Sequence, residues 1–585
     1  MIKEREQELL IIHPTEAFVI ACPGAGKTRT IVNRVAHISE SLPPRKGIGI
    51  LSFTNSAVDT FIERCRTKNL ETILKHPSFI GTFDAFVRQF LIVPSGIDDV
   101  DVQPHIVDSW DSLDVEVRLS GTNAFQGAGV SLDRFNPLNN HIDPATIGHS
   151  GLRSHVEQNL QAYIQSATQY RAGLRRKGYL SAADARVLAE KKLERSHWAA
   201  SLGKALKGRF HEIIVDEAQD CNPEDLKILQ WLRSHDLRVT LVCDPDQAIY
   251  EFRQGSPANL SDFATTYDHN NQLKLTGNFR SSPTICSFAA TLRSRTTPDN
   301  SIGENTSVTY PVQIICYQGR VTAEIGRQFI EIIERIEPTL EDRMILSHAF
   351  RYALQASGNT PPSESGNSNL ESMARVVNQF WSPFSSNREK ESVLRDTEKI
   401  ILRLMGKIDR NEHPVRATER HGIEKRELRR KALELITALP PVCSDSDEGK
   451  TEWLNRLHVA IQQLSLEFPA GRSEKTFFPR TRKSSWAEHL RRGTFLHCPC
   501  KTIHHVKGKE FKAVCVVIPP DRAPDNNTSK LFDVWENRTD EEAKRVIYVG
   551  ATRAEKLLTI AIPESFRDRL IRILDLSNVS YFLNN

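Results

Sequence analysis

A glycine-rich loop lies near the start of the chain, between a short apolar run and a helical pattern. The run 17–20 is followed by the loop 21–28 (ACPGAGKT), and helical spacing begins directly after it. In this order the loop places backbone N–H groups at a helix N-terminus, where they bind phosphate. Lys27 could then reach the β- and γ-phosphates of a nucleotide, and the Thr28 hydroxyl could bind Mg²⁺. Because Ala21 stands where such loops usually begin with glycine, a glycine-rich turn with a surface lysine is the alternative.

Two adjacent carboxylates follow another apolar run, in the segment 213–220 (IIVDEAQD). Asp216 could hold Mg²⁺ directly or through water, and Glu217 could polarise an attacking water molecule. A solvated acidic turn is the alternative for this segment taken alone. Together with the glycine-rich loop, the carboxylates predict a nucleoside triphosphatase.

The elements that must position these residues read as βαβ units. Short apolar runs, each leading into a helical pattern, lie at 17–20, 48–53, 213–215 and 239–243. Later runs predict a second α/β core and lie at 312–317, 344–347, 513–518 and 557–562. The segment 222–235 predicts a helix, with Asn222 as its N-cap and Pro223 at its first position. The predicted fold class is therefore α/β, with two parallel-sheet cores.

Length and composition limit the class of protein. A chain of 585 residues exceeds the roughly 250–300 residues at which single cores stop growing, so several domains are expected. The net charge of +4 permits nucleic-acid binding through a local patch without arguing for it. No apolar run approaches the roughly 18–20 residues that span a bilayer, and the charged N-terminus lacks the apolar region of a signal peptide. The ten cysteines are scattered, so we expect a cytoplasmic protein without membrane contact.

Six further motifs, in order along the chain, resemble those of the UvrD/Rep/PcrA helicases of superfamily 1. They lie at 53–57 (FTNSA), 81–84 (GTFD), 242–253 (VCDPDQAIYEFR), 277–281 (GNFRS), 502–511 (TIHHVKGKEF) and 541–554 (EEAKRVIYVGATRA). The resemblance implies two RecA-like cores, called 1A and 2A, that bind ATP and Mg²⁺ between them and act on single-stranded DNA. It also implies mainly helical insertions, called 1B and 2B.

The resemblance assigns the nucleotide contacts residue by residue. Gln7 would read the adenine edge, although a surface glutamine is a fair alternative, and Phe279 would stack on the base. Glu510 would contact the ribose. The predicted catalytic residues are Lys27, Asp216, Glu217, Gln247, Arg280 and Arg553, and the predicted nucleotide-binding loop residues are Gly24, Gly26, Lys27, Thr28 and Arg29. Arginines that neutralise transition-state charge contribute roughly 10³–10⁵ in rate in comparable systems.

The resemblance also assigns contacts with a DNA strand. Phe252 would stack on a base, a sequence-tolerant contact, with a core phenylalanine as the alternative. The remaining predicted DNA-binding residues are Asn55, Thr82, Phe83, Tyr250 and His504. Asp84 replaces a frequent histidine of the family, so we assign it no DNA contact.

The predicted domains follow from the positions of the motifs. They are 1–95 and 196–285 for core 1A, 96–195 for a 1B-like insertion, 286–356 and 490–585 for core 2A, and 357–489 for a reduced 2B-like insertion. In the family, 2B is regulatory and helps engage duplex, so processive unwinding by this chain alone stays open.

The compact form resembles GajB, the helicase-like subunit of Gabija anti-phage systems, which works with an ATPase–TOPRIM nuclease partner (GajA). Three functions therefore stay open: a 3′→5′ translocase and helicase, a DNA-sensing ATPase that activates a nuclease, and a stand-alone repair or recombination helicase. The basic segment 472–492 fits nucleic-acid binding, a partner surface or a solvated loop. Cys498 and Cys500 fit packing better than metal binding, because a second cysteine pair is missing.

Overall fold

A computed structural model describes most of the chain. The described residues are 2–98, 100–113, 115–119, 129–249, 257–293, 297–358, 369–381, 387–408, 414–442, 447–479, 498–521 and 527–584.

The strands of this part, in chain order, are β1 (Phe18–Ala21), β2 (Gly47–Ser52), β3 (Phe79–Thr82), β4 (His105–Val107), β5 (Glu116–Val117), β6 (Val130–Ser131), β7 (Tyr179–Ser181), β8 (Phe210–Asp216), β9 (Arg238–Cys243), β10 (Gln272–Leu275), β11 (Gly277–Asn278), β12 (Asn300–Ser301), β13 (Val312–Tyr317), β14 (Arg343–Ser347), β15 (Cys500–Thr502), β16 (Phe511–Val517), β17 (Ala554–Pro563) and β18 (Tyr581–Asn584).

The α-helices are α1 (Ile2–Ile11), α2 (Lys27–Glu40), α3 (Asn55–Thr67), α4 (Phe83–Phe86), α5 (Ser150–Gln158), α6 (Leu160–Arg176), α7 (Ala182–Leu193), α8 (Ser196–Arg209), α9 (Pro223–Ser234), α10 (Pro257–Ala264), α11 (Pro283–Thr291), α12 (Glu324–Ile336), α13 (Phe350–Ala356), α14 (Asn369–Trp381), α15 (Asn387–Leu404), α16 (Pro414–His421), α17 (Lys425–Thr437), α18 (Asp447–Gln463), α19 (Glu474–Phe477), α20 (Thr528–Glu536), α21 (Glu542–Ala551) and α22 (Arg567–Leu576).

Two six-stranded sheets form the centres of the two cores. The first has the order β10-β1-β9-β8-β2-β3, and the second has the order β15-β14-β16-β17-β13-β18. All neighbouring strands in both sheets are parallel. This arrangement confirms the predicted α/β class with two parallel-sheet cores. In such open sheets, ligands bind beyond the carboxyl ends of the strands.

The three strands that carry the predicted catalytic groups are adjacent in the first sheet. Strand β9 pairs with β1 on one side and with β8 on the other. Asp216, the last residue of β8, is level with Val242 of β9. The glycine loop, the two carboxylates and the segment after β9 therefore lie together at the carboxyl edge of the first sheet.

Helix α9 begins as the sequence predicts. Asn222 caps it, and a reciprocal capping box joins Asn222 to Asp225, with Pro223 in the first turn. The Asn222 side chain accepts from Asp225 N at 2.8 Å, while the Asp225 side chain accepts from Asn222 N at 3.1 Å. Such caps typically stabilise a helix by about 1 kcal/mol, and this one fixes where the carboxylate segment ends.

Two further groups of elements interrupt the cores in the sequence. One lies between β3 and β8 of the first sheet, and the other lies between β14 and β15 of the second. Helices α14 to α19 surround a separate hydrophobic core that includes Met373, Leu435 and Leu457. The region around β4 to α6 packs about Trp110, whose indole N–H donates to Asp184 Oδ2 at 2.8 Å. Helix α7, although inside the predicted 1B-like insertion, packs its apolar residues into the first core. Among the described helices, none is long and apolar enough to cross a membrane.

Candidate active site between the two cores

The glycine loop passes from β1 into α2 in a conformation that requires glycine. Gly24 and Gly26 have φ values of +71° and +72°, which L side chains rarely adopt. A Cβ atom on Gly24 would lie 2.4 Å from Asn278 Oδ1, and the Gly24 carbonyl accepts from Phe279 N at 2.8 Å. The segment with Asn278 and Phe279 therefore closes over the loop. Arg29, on the first turn of α2, is exposed.

Gln7 on α1 lies against the same loop. Its side-chain N–H donates to the Ala25 carbonyl at 2.8 Å, so α1 holds the glycine loop from outside. This contact places the amide next to the nucleotide cradle. Reading of an adenine edge by Gln7 stays a prediction.

Asp216 and Glu217 lie at the carboxyl end of β8, opposite Lys27. Glu217 has a φ of +57°, a left-handed conformation that costs a non-glycine residue about 1–2 kcal/mol. This turn places Glu217 Oε1 3.5 Å from Lys27 Nζ, and Glu217 N donates to Asp216 Oδ1 at 2.9 Å. Strain of this kind is typical of functional sites.

Burial and charge separate the two carboxyl groups. Burial, together with the neighbouring Glu217 charge, raises the pKa of Asp216. Burial also acts to raise the pKa of Glu217, but Lys27, Lys507 and a hydrogen bond from Gln219 together lower it. Glu217 is therefore the ionised group, while Asp216 is a buried oxygen donor that needs positive charge. Hard oxygen donors suit Mg²⁺, so Asp216 and the hydroxyl of Thr28, the residue after Lys27 in α2, fit such an ion.

A chain of hydrogen bonds runs from Glu217 across to the second core. Gln219 donates to Glu217 and accepts from Asp244 N at 2.9 Å. Gln247 donates to Asp244 Oδ2 at 2.8 Å, and Arg553 donates to Gln247 Oε1 at 3.1 Å. The predicted catalytic residues Glu217, Gln247 and Arg553 thus belong to one connected network.

Arg553 is held by backbone groups of the second core. Its Nε donates to the Val549 carbonyl at 3.0 Å, and its Nη1 donates to the Lys509 carbonyl at 3.2 Å. Burial, with the nearby charge of Arg280, lowers the pKa of Arg553 to about 9. A buried cation next to a second cation fits a site that receives an anionic phosphate.

The remaining predicted nucleotide contacts face one another. Arg280 Nε donates to Glu510 Oε2 at 2.7 Å, and Arg280 Nη1 donates to the Thr552 carbonyl at 3.2 Å. Phe279, directly before Arg280, is partly buried. Through these contacts, Arg280 joins the segment after β10 to Glu510 and Thr552 of the second core.

Sequence reasoning assigned no role to Lys507, which links the two cores. Its Nζ lies 2.5 and 2.7 Å from the two carboxylate oxygens of Asp220 and 3.2 Å from the Gln247 carbonyl oxygen. The side chains of Lys507 and Asp220 are 7% and 2% exposed. Both residues lie within motifs, but nothing in the sequence pairs positions so far apart.

Two predicted DNA contacts lie together at the carboxyl edge of the first sheet. Thr82 ends β3, level with Ser52 of β2, and Asn55 begins α3 just beyond. Asn55 is exposed, whereas Thr82 is partly buried and its hydroxyl accepts from Ala85 N at 3.1 Å. Asn55 is thus the exposed member of this pair, while the Thr82 side chain caps α4.

Phe83 is placed differently from the prediction. Its ring is 1% exposed and stacks on Phe53, with 5.6 Å between centroids and 8° between ring planes. This burial does not fit a direct contact between the Phe83 ring and a DNA strand. The ring instead packs against Phe53 and Phe86 within the first core.

His504 lies at the corresponding edge of the second core. Its Nε2 donates to the Ile249 carbonyl at 3.2 Å, and its ring lies 5.4 Å from that of His348. Sequence reasoning missed His348, although it directly follows the apolar run of β14. Tyr250 and Phe252, the other predicted DNA contacts, lie outside the described residues.

Two parallel-sheet cores joined through a phosphate loop, paired carboxylates and a second-core arginine define the two-core helicase fold. Comparison of the sequence with family models agrees. Residues 3–268 match the UvrD/REP helicase N-terminal domain, and residues 369–565 match the UvrD-like helicase C-terminal domain. The chain therefore belongs to the UvrD-like helicases.

Individual relatives are similar over part of their length. DNA helicase II of Escherichia coli (strain K12) is 26% identical over 303 residues, which are 50% of this chain and 40% of that protein. ATP-dependent DNA helicase PcrA of Leuconostoc citreum is 24% identical over 279 residues, 46% of this chain and 36% of that protein. The putative ATP-dependent DNA helicase YjcD of Bacillus subtilis (strain 168) is 41% identical over 83 residues, 14% of this chain and 11% of that protein. The chain thus spans less than half the length of these relatives.

Proposed function

We propose that this protein is an ATP-dependent motor that moves 3′→5′ along single-stranded DNA and separates strands in the cytoplasm. The observation that carries the proposal is the hydrogen-bonded network from Glu217 to Arg553. Because its members come from both cores, hydrolysis requires the cores to be closed on each other. Repeated closure and opening is a mechanical step that can move a bound strand.

The residues of this chain have separate tasks in the reaction. Lys27 binds the terminal phosphates, and Thr28 with Asp216 would hold Mg²⁺, which when bound neutralises phosphate charge. Glu217, kept ionised by its cationic neighbours, accepts a proton from the attacking water. Gln247 orients that water, and Arg553 stabilises negative charge that develops on the phosphate.

A DNA strand fits across the carboxyl edges of both sheets. Asn55 and Thr82 stand at this edge of the first core, and His504 stands at that of the second. A strand held by both cores would experience their relative motion. The 3′→5′ direction rests on the resemblance to the family.

The test is ATP hydrolysis with and without single-stranded DNA, on wild type and Glu217→Gln, across a salt series. We expect stimulation by DNA that falls with salt, since phosphate contacts are ionic. Loss of the base should lower kcat by about 10²–10⁴-fold. Glu224→Gln, the same chemical change at the first turn of α9, is the matched control and should keep wild-type turnover. Absence of stimulation at low salt would contradict the proposal.

A second candidate is a DNA-sensing ATPase subunit that activates a nuclease in anti-phage defence, with little unwinding. The reduced helical insertion and the resemblance to the Gabija helicase-like subunit favour it. A strand-separation assay, alone and with an ATPase–TOPRIM nuclease, distinguishes the candidates. A strong ATPase that unwinds poorly and co-purifies with the nuclease supports the second candidate. Efficient unwinding alone supports the motor or a stand-alone repair helicase.

A further inference from the structure

A charged triad joins the predicted DNA edge to the start of α9. Arg186, on α7, lies between two carboxylates: its Nη2 is 2.8 Å from Asp84 Oδ1, and its Nε donates to Asp225 Oδ1 at 2.6 Å. Asp84 follows Thr82 and Phe83 at the carboxyl end of β3. One guanidinium therefore contacts both the DNA side of the first core and α9.

The contact with Asp225 reaches the helix cap. Asp225 Oδ2 accepts from Asn222 N in the capping box, while Oδ1 is the atom that Arg186 binds. Its two oxygens thus have different partners. A shift of the Arg186 guanidinium consequently acts on the residue that fixes where α9 begins.

The cap is the far end of the catalytic segment. Strand β8 ends at Asp216, a short turn covers Ala218–Asp220, and Asn222 then caps α9. Only six positions separate the metal-site carboxylate from the cap. Movement of the cap therefore changes the placement of Glu217 and of Asp220, which binds Lys507 of the second core.

We propose that Arg186 is a positioning residue that couples occupancy of the DNA edge at Thr82 and Asp84 to the catalytic segment 216–220. The coupling rests on the proposed DNA-stimulated ATPase and assigns one route by which DNA controls it. Asp84 and Arg186 contact neither the nucleotide nor the reacting atoms in this role.

Exposure and charge explain why the triad responds to DNA. The Asp84 side chain is 46% exposed, whereas those of Arg186 and Asp225 are 10% and 1% exposed. A DNA phosphate that approaches the edge therefore acts first on Asp84, by charge repulsion. Asp84 and Asp225 compete for a single cation in a poorly solvated site, where charge interactions are strong. A change in the charge around the exposed Asp84 consequently alters the interaction of Arg186 with the buried Asp225.

The experiment measures kcat with and without oligo(dT), together with the affinity for a fluorescent oligo(dT), in Asp84→Asn and Arg186→Gln. For Asp84→Asn we expect DNA stimulation, the ratio of kcat with and without oligo(dT), to fall by about five-fold or more, the lower end of typical allosteric coupling. The affinity for DNA should stay equal or increase, since a negative charge near the phosphates is removed. A residue that merely contacts DNA would lose affinity and stimulation together.

The control is Glu190→Gln. Glu190 pairs with Lys227 and so links the same two helices, α7 and α9, one turn along α7 from Arg186. This variant should keep both DNA stimulation and affinity. Because Arg186 is buried, its variant is compared with wild type by unfolding temperature, and the exposed Asp84→Asn carries the test if Arg186→Gln does not fold.

The outcomes separate the coupling from the proposed function. If Asp84→Asn retains full stimulation, or loses affinity in parallel with stimulation, the coupling is overturned while the motor function stands. Wild type without any stimulation by DNA would overturn both. If Asp84 and Arg186 act through one shared route, the double variant Asp84→Asn/Arg186→Gln should lose no more DNA stimulation than Arg186→Gln alone.

Discussion

Lys507→Met tests the closed arrangement of the two cores. Methionine keeps much of the length of the side chain but removes the charge that lies 2.5 and 2.7 Å from the Asp220 carboxylate oxygens. Asp220, at 2% exposure, then loses its lysine partner while it stays buried. Loss of one partner from a buried ion pair typically costs about 3–5 kcal/mol.

The position of the Lys507–Asp220 pair decides which equilibrium this loss of free energy affects. Asp220 belongs to the first core and Lys507 to the second, and each sheet has its own hydrophobic core. The cost therefore falls mainly on closure of the cores, not on the folding of either. Taking about 3 kcal/mol and a factor of ten for each 1.4 kcal/mol, closure becomes roughly 100-fold less favourable.

The assay is kcat at saturating DNA and ATP, with the unfolding temperature measured alongside. We expect kcat of Lys507→Met to fall by up to this factor, and Asp220→Asn in the same chain to restore part of it by removing the carboxylate charge that Lys507 balanced. Lys530→Met is the matched control, because Lys530 and its partner Glu541 are 59% and 36% exposed and such pairs contribute little. A kcat within two-fold of wild type in Lys507→Met, or a fall in unfolding temperature without a fall in kcat, would show that the Lys507–Asp220 pair does not control closure of the cores.

Two other perturbations follow from the geometry. Gly24→Ala should abolish binding of a fluorescent ATP analogue, because the new Cβ would lie 2.4 Å from Asn278 Oδ1. Gly96→Ala is the control. Gly96 also has a positive φ, but a Cβ there would meet nothing within 4 Å, so this variant should bind the analogue normally. Equal affinities in these two variants would count against the steric argument. Burial lowers the pKa of His348, and burial with the neighbouring His348 lowers that of His504. The unfolded chain therefore binds more protons below about pH 6.5, so the unfolding temperature should fall as pH falls through that value, and less steeply in His348→Gln. An identical pH slope in that variant would contradict the assignment.

The central strands of the sheets could be predicted from sequence, whereas the edge strands could not. Strands β8 and β9 are buried over most of their length, and each contains a short, largely apolar run, at 213–215 and 239–243. Edge strand β10 alternates polar and apolar residues over four positions, and edge strand β3 is mostly half-buried, so neither forms such a run. Their positions depend on pairing with β1 and β2, which only the folded chain shows.

Helix α7 shows a different limit. It lies inside the predicted 1B-like insertion in sequence, yet its Ala185 and Leu188 pack into the first core. Its burial is spread around the helix and includes charged Arg186 and Lys192, so no single apolar face marks the neighbour it packs against. Only the position of α9 and the charges of Asp84 and Asp225 explain why an arginine is buried there.

Residue types at the active site could be read from the motifs, but their partners could not. Arg553 bonds to Gln247 across 306 positions, and Lys507 bonds to Asp220 across 287. Neither pair belongs to one hydrophobic core, so neither is needed for a sheet to fold, and both form only when the cores face each other. Substitutions at these four positions should therefore alter turnover more than unfolding temperature. Substitutions such as Arg34→Met should show the opposite pattern, because Arg34 is buried with Glu212 inside one core.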